Sequence, residues 1–352
     1  MTKILTYLLI LSAVFFYGCS STTQLTEQAS PEPSPGTDYT LIFYIHGDSD
    51  YLYHEKDGSR AEADEQALKK AIDIAKQAES GEVFIYHKKP AKRFLWMIPR
   101  RSSNLHHYRN SEKVQTIRYR ISSDEPFLKA EADMFRHLHT DEAIRDQKQY
   151  FFYFGHEIPA GSMRGYHQSR ADVAVDTEIF ANGTAAFLNS KESRFNLMVL
   201  STCSNGSPEM VNGLAGTTDY LIASPQNLHL SHMDISSLSL LEQDYGLADQ
   251  DLAFAIADET FERLSASVQT AVTLSVYDMD SVAEYIDRLY KETSEYEEAE
   301  KPDPFRDNID CGDLSFFDSE RFTSGIKTYF LAPRFGRRSS ATDHSGWGCK
   351  GF

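Results

Sequence analysis

Two apolar runs in this chain each end in a residue capable of covalent chemistry. Tyr150-Phe151-Phe152-Tyr153-Phe154 leads into Gly155, His156 and Glu157, and Phe195–Leu200 leads into Ser201, Thr202 and Cys203. A free thiol is mostly protonated at neutral pH. An imidazole that takes its proton, or stabilises the thiolate, makes it a nucleophile and can return the proton to a leaving amine. Cys203 stands in Ser201-Thr-Cys-Ser-Asn-Gly-Ser-Pro-Glu209, a polar turn entering a helix. Backbone N–H groups at such a turn lower a thiol pKa and can receive an oxyanion. The pair points to acyl transfer by a cysteine nucleophile. The plainer alternative is a packing thiol beside one of twelve histidines.

Other groupings carry less chemistry. Phe43-Tyr-Ile-His46-Gly47 also reads as strand then His-Gly, as in the oxyanion turn of an α/β-hydrolase. That fold needs a later Gly-x-Ser-x-Gly, and the chain has none. His46 can instead assist at the active edge or be an incidental loop residue. Asp48, Asp50, His54, Glu55 and Asp57 are dense enough in hard ligands to hold Ca²⁺. Their spacing fits no EF-hand, and a solvated acidic loop is the simpler reading. His106-His107 and His137-x-His139 lack partners at zinc spacing, so no metal site is assigned and no cofactor is required. The cations of Lys88–Arg109 read as a solvated basic loop, or as a patch facing a membrane.

Elements that could position the His and Cys alternate as in an α/β domain with a largely parallel sheet. Strands are expected at Tyr39–Ile45, Val83–Tyr86, Val114–Ile121, Tyr150–Phe154, Phe195–Leu200, Tyr220–Ala223 and Ala271–Tyr277. Helices are expected at about 61–78, 127–138, 175–188, 252–264 and 279–298, from apolar residues recurring every three to four positions. Residues 88–110 read as a long loop or hairpin. In an open α/β sheet, functional groups gather beyond the carboxyl ends of the strands, which is where His156 and Cys203 fall.

The N-terminus reads as an address. Lys3 precedes an apolar run from Ile4 to Tyr17, of about the length of a signal-peptide core and short for a membrane span. Gly18-Cys19 ends it, so residues 1–18 are expected to be removed and Cys19 lipidated. Residues 19–37 are Ser, Thr and Pro-rich and cannot bury enough surface to order, as befits a tether to a folded body at 38–352. The implied location is the cell envelope, facing out of the cytoplasm. There Cys311 and Cys349 can pair, leaving Cys203 as the odd thiol. The 352 residues are 41% hydrophobic and 25% charged, which excludes a wholly disordered or fibrous chain. The net charge of −17 disfavours nucleic acid as a partner. No fixed-period repeat and no second core are evident, so a single domain with a C-terminal extension is expected.

The order of these blocks resembles the clostripain family of cysteine peptidases, within the caspase, gingipain and legumain group. That family has a strand ending in His-Gly, then one ending in Asp-Ala-Cys-Leu-Met-Gly with a Glu three residues on. Here Phe151–His156 corresponds to the first, and Ser201–Gly206 with Glu209 to the second. Leu41–Ile45 with Asp48, Asp219–Ser224, Thr273–Asp278 and Asp313-Leu314 with Phe316 are similar to further family segments, spanning most of 38–320. The resemblance implies a caspase-like, mostly parallel sheet flanked by helices. It implies Cys203 as nucleophile, His156 as general acid/base, and an oxyanion held by the N–H groups of Glu157 and Cys203. Ser201 and Ser224 would line the specificity pocket of a peptide or protein substrate. Two positions depart from the pattern. Glu157 replaces a Gly, putting a carboxylate beside a forming oxyanion. Ser201 replaces an Asp that reads Arg or Lys, unless Asp234 substitutes for it. The chain also stops where the family continues into a Gly-Leu-Ser-Ile-Tyr-like strand. These departures keep a second expectation open, an inactive peptidase-fold lipoprotein that binds peptide or protein without cleaving it.

Overall fold

Tyr39–His46 is buried along its whole length, as expected of an apolar strand covered on both faces. In the computed structural model it is strand β1 and lies near the middle of a nine-stranded sheet. The structure describes residues 36–47, 52–54, 58, 60–89, 92–94, 98–100, 103–121, 125–139, 147–161, 174–190, 192–228, 233–244, 246–302, 307–336 and 338–351. The expected signal peptide, Cys19, nearly all of the tether, and Asp48, Asp50, Glu55 and Asp57 lie outside the described residues. The folded unit spans Thr37–Phe352.

The remaining sheet strands are β2 (Gly81–Lys88), β3 (Ser103–Arg109), β4 (Glu112–Tyr119), β5 (Lys148–Phe154), β6 (Phe195–Ser201), β7 (Thr218–Ala223), β8 (Val272–Asp278) and β9 (Ile326–Leu331). Their order is β9-β8-β7-β6-β5-β1-β2-β3-β4. The five from β7 to β2 are mutually parallel, and two antiparallel strands extend each side. The fold class is thus mixed, mostly parallel α/β.

Alternating side chains separate two cores. Leu41, Phe43, Ile45, Phe152, Phe154 and Val199 face one side, where helices α1 (Ala63–Ala75) and α5 (Asp249–Ser267) cover them. Ile42, Tyr44, Phe151, Tyr153, Met198 and Leu200 face the other. There α2 (Lys129–Leu138), α3 (Thr177–Ala185), α4 (Pro208–Leu214) and α6 (Ile286–Glu300) pack. Each fully buried Leu, Phe or Met side chain is worth roughly 1.5–3 kcal/mol. Asp176 caps α3 by accepting from the Ile179 N–H at 2.8 Å. Ser207 caps α4, with Pro208 in its first turn, and so fixes where the chain leaves the Cys203 turn.

Of the two readings of residues 88–110, the hairpin holds and the solvated loop is corrected: the stretch contains β3, which pairs antiparallel with β2, is partly buried and turns at Asn110-Ser111 into β4. Both turn residues have positive φ (51° and 62°), the geometry of a tight hairpin. The polar histidines hid this strand because one of them, His107, serves a buried carboxylate. The charged helix expected at 279–298 is broken at Tyr285, whose φ of −138° is not helical, and resumes as α6. The C-terminal extension forms a two-stranded ribbon, β10 (Ile309–Asp310) with β11 (Gly348–Cys349). Among the described residues, no helix is long and apolar enough to cross a membrane.

Candidate active site

β5 and β6 are hydrogen-bonded parallel neighbours, with Phe154 level with Ser201. His156 and Cys203 each follow two residues later, so both leave the same sheet edge from adjacent strands. The two loops are latched together. The Gly155 N–H reaches the Ser201 carbonyl at 3.5 Å. The Asn205 amide spans the gap, its Oδ1 accepting from the Ile158 N–H and its Nδ2 donating to the Ile158 carbonyl, each at 2.9 Å. The Thr202 hydroxyl donates to the same Oδ1 at 2.6 Å. Asn205 is buried, so this bidentate clasp is shielded from competing water. The residue reads in sequence as one more polar turn position, and only the neighbouring loop gives it a role.

Among the described residues, Cys203 is the free cysteine and is partly exposed, whereas His156 is exposed. The thiol donates to the Leu228 carbonyl at 3.5 Å, and the Leu228 N–H reaches the sulfur at 3.4 Å. Burial pushes the Cys203 thiol up. Leu228 opposes this, while the negative charges of Glu157 and Asp307 add to it. In this resting arrangement the sulfur is held as a thiol. Ser204, immediately after it, has φ of +56°, a left-handed conformation that disfavours a side chain. Two bonds hold it there, from the Ser204 N–H to the Gln226 carbonyl (2.9 Å) and from Asn308 Nδ2 to the Ser204 carbonyl (3.3 Å).

Glu157, the acid that replaces the family's Gly, is not left facing the loop alone. Its Oε1 lies 3.2 Å from Lys350 Nζ, on the residue after β11. Behind them Glu209 and Glu297 line the same cleft. Burial, then Glu297, raise the Glu209 carboxyl to about 7 against the pull of Lys350. The C-terminal ribbon is thereby part of the site. The Gly348 N–H donates to the Gly206 carbonyl at 2.9 Å. A β-carbon on Gly206 would meet Pro225 N and the Tyr277 hydroxyl at 2.7 Å, so this contact depends on glycine. Cys311 and Cys349 are joined in a disulfide that closes the ribbon.

The expected pocket residues divide. Ser201 lines a cavity on the α1/α5 face and accepts from the Met233 N–H at 3.1 Å. Ser224 is fully buried, its hydroxyl within hydrogen-bond distance of the carbonyls of Gln226 (2.7 Å) and Thr273 (2.8 Å), which share its one proton, bracing the loop that holds Ser204. Asp234 binds Arg263 Nε at 3.1 Å and the Ser236 hydroxyl at 2.8 Å, and its neighbours Met233 and Ile235 line the cavity. His46 is buried, with Nδ1 3.2 Å from the Tyr153 hydroxyl. Among the described residues, Asp64, Glu65 and His87 form a group of potential metal ligands. They already pair within the protein, His87 with Asp64 at 3.0 Å and Glu65 with Lys89 at 3.4 Å.

Comparison with known proteins bears on the fold. An X-ray structure of iotapain, a secreted C11 cysteine protease of Bacteroides thetaiotaomicron, matches with a TM-score of 0.50 at 14% identity, over 74% of this chain and 71% of that one. The chain has the fold of the C11 cysteine proteases. A secreted C11 cysteine protease of the same organism in complex with an irreversible peptide inhibitor matches with a TM-score of 0.47 at 13% identity, over 70% and 67% of the two chains. An inactive zymogen C11 protease of Parabacteroides distasonis gives 0.46 at 14%, over 73% and 65%. The match to iotapain agrees with the fold that the clostripain resemblance implies. No protein-family model and no curated protein matches the sequence.

Proposed function

We propose that the protein is an exported, lipid-anchored cysteine endopeptidase acting through Cys203 and His156. The reading rests chiefly on one observation: the free thiol of Cys203 and a histidine leave level positions on adjacent parallel strands, in loops clasped by Asn205. In the reaction, His156 takes the Cys203 proton and the sulfur adds to the peptide carbonyl carbon. The tetrahedral oxyanion is met by the N–H groups of Glu157 and Cys203. Collapse expels the amine, which takes the proton from the imidazolium and leaves a thioester. Water then adds with His156 as base, releasing the carboxylic acid and restoring the thiol. No metal enters these steps. The C11 neighbours from Bacteroides are secreted, which agrees with export of this chain, and lipidation at Cys19 supplies the membrane anchor.

Cys203→Ala and His156→Ala are each expected to lower casein turnover by about a thousandfold or more. Retained turnover in either variant removes the assigned role. Cys19→Ser is expected to move the protein from the membrane to the soluble fraction. A second reading, a binding protein on this fold, is favoured by the partial burial of Cys203 and its bonds to Leu228. Folded wild-type protein that neither turns over casein nor reacts with a peptidyl acyloxymethyl ketone decides for it.

A further inference from the structure

Resting on the peptidase reading, the cavity beside Ser201 defines the substrate's chemistry. Ser201 precedes Cys203 by two residues, a span of about 7 Å along an extended chain. Cys203 packs against the same core as the cavity's walls, so cavity and sulfur share one face of the sheet. The cavity, open to solvent, lies between the carboxyl ends of β1, β5 and β6, helix α1 and the 233–235 segment. Its floor is Phe43, Phe152 and Val199, and Met233 and Ile235 form a side wall. Two features set its electrostatics. Among the described residues, Lys70 of α1 is the charged residue in the lining. The nearest acid of the wall segment, Asp234, is bound to Arg263, and its charge also acts on Lys70.

We infer that this cavity receives the side chain on the acyl side of the scissile bond and selects a sizeable apolar one, of the size of Leu, Met or Phe, against Arg and Lys. An Arg or Lys would be desolvated there beside a like charge, with no carboxylate among the described lining residues and Asp234 already paired with Arg263, which is costly. An Asp or Glu could meet Lys70 and the Ser201 hydroxyl, but its carboxylate would be desolvated over an aromatic floor in exchange for those two donors. An apolar side chain gains roughly 25 cal/mol for each Å² removed from water and leaves no group unpaired.

The test uses five peptides differing only at that position: Ala, Leu, Phe, Arg and Glu. Binding to the Cys203→Ala protein is read by fluorescence anisotropy, and cleavage by the wild type as kcat/KM. Leu and Phe are expected to exceed Arg and Glu by about tenfold or more in both. Ala67→Phe, which fills the cavity from α1, is expected to reverse the preference of Leu over Ala. Ser201→Asp is expected to raise Arg binding relative to Leu. Tightest binding of Arg or Glu, no difference among the five, or an unchanged Leu preference in Ala67→Phe would overturn the proposal. Apolar preference in the Cys203→Ala protein, with every peptide left intact by the wild type, keeps the pocket and refutes the peptidase reading instead.

Discussion

Cys203 is poised but not ionised in the resting site. Its thiol lies above the ordinary value of 9.0 because burial disfavours the thiolate and Glu157 adds negative charge. Iodoacetamide, too small to engage the peptide cleft, should therefore label Cys203 slowly at pH 7, with a midpoint above 9 as pH rises. Glu157→Gln removes a negative charge and should lower that midpoint, speeding labelling at pH 7 by about threefold. A slower or unchanged rate would show that Glu157 does not act on the sulfur. Lys350 works against the Glu157 carboxylate from the far end of the chain. The sequence showed the Gly-to-Glu departure but not the lysine that answers it, because the two meet only through the C-terminal ribbon.

At the scale of elements, the strands at one side of the sheet are held by a buried charge cluster rather than by apolar packing alone. Glu82 on β2 accepts from His107 of β3 at 2.8 Å and from His139 beyond α2 at 2.6 Å, with Arg109 also at 2.6 Å. Burial would raise this carboxyl, but the hydrogen bonds and charges of the two histidines outweigh it and hold it down at about 2. A depressed carboxyl stabilises above its unfolded value of about 4.5, and that contribution is lost as pH falls from there toward 2. Glu82→Gln should thus cost about 3 kcal/mol in urea unfolding at pH 7, with a smaller difference from wild type at pH 3. An equal loss at both pH values would contradict the ionic account. The sequence shows His-His and His-x-His without partners, since the partner is a glutamate on another strand.

Over the whole molecule, the C-terminal extension acts as a brace. The Cys311–Cys349 disulfide closes a separation of 38 residues, and Asn308 and Gly348 bond to the Ser204 and Gly206 carbonyls on the nucleophile's turn. Replacing both cysteines with serine should cost about 3–4 kcal/mol of stability by loop entropy. It should also speed amide exchange at Gly348 before β1 and β6 respond. Exchange that stays slow at Gly348 would mean that the ribbon holds without its crosslink.

The sequence by itself determined the layers, because continuous apolar runs such as Tyr39–Ile45 and Tyr150–Phe154 suit only strands covered on both faces. It also singled out His156 and Cys203, since strand-end positions follow from the run that precedes them. Tertiary structure alone decided what those residues meet. Asn205 clasps a loop from the neighbouring strand, Asp234 is taken by Arg263 on α5, and Lys70 reaches the cavity from α1. The physical reason is range. Periodicity and turn chemistry are written in neighbouring residues, whereas hydrogen bonds and charges at the site join segments that only folding brings within a few ångströms.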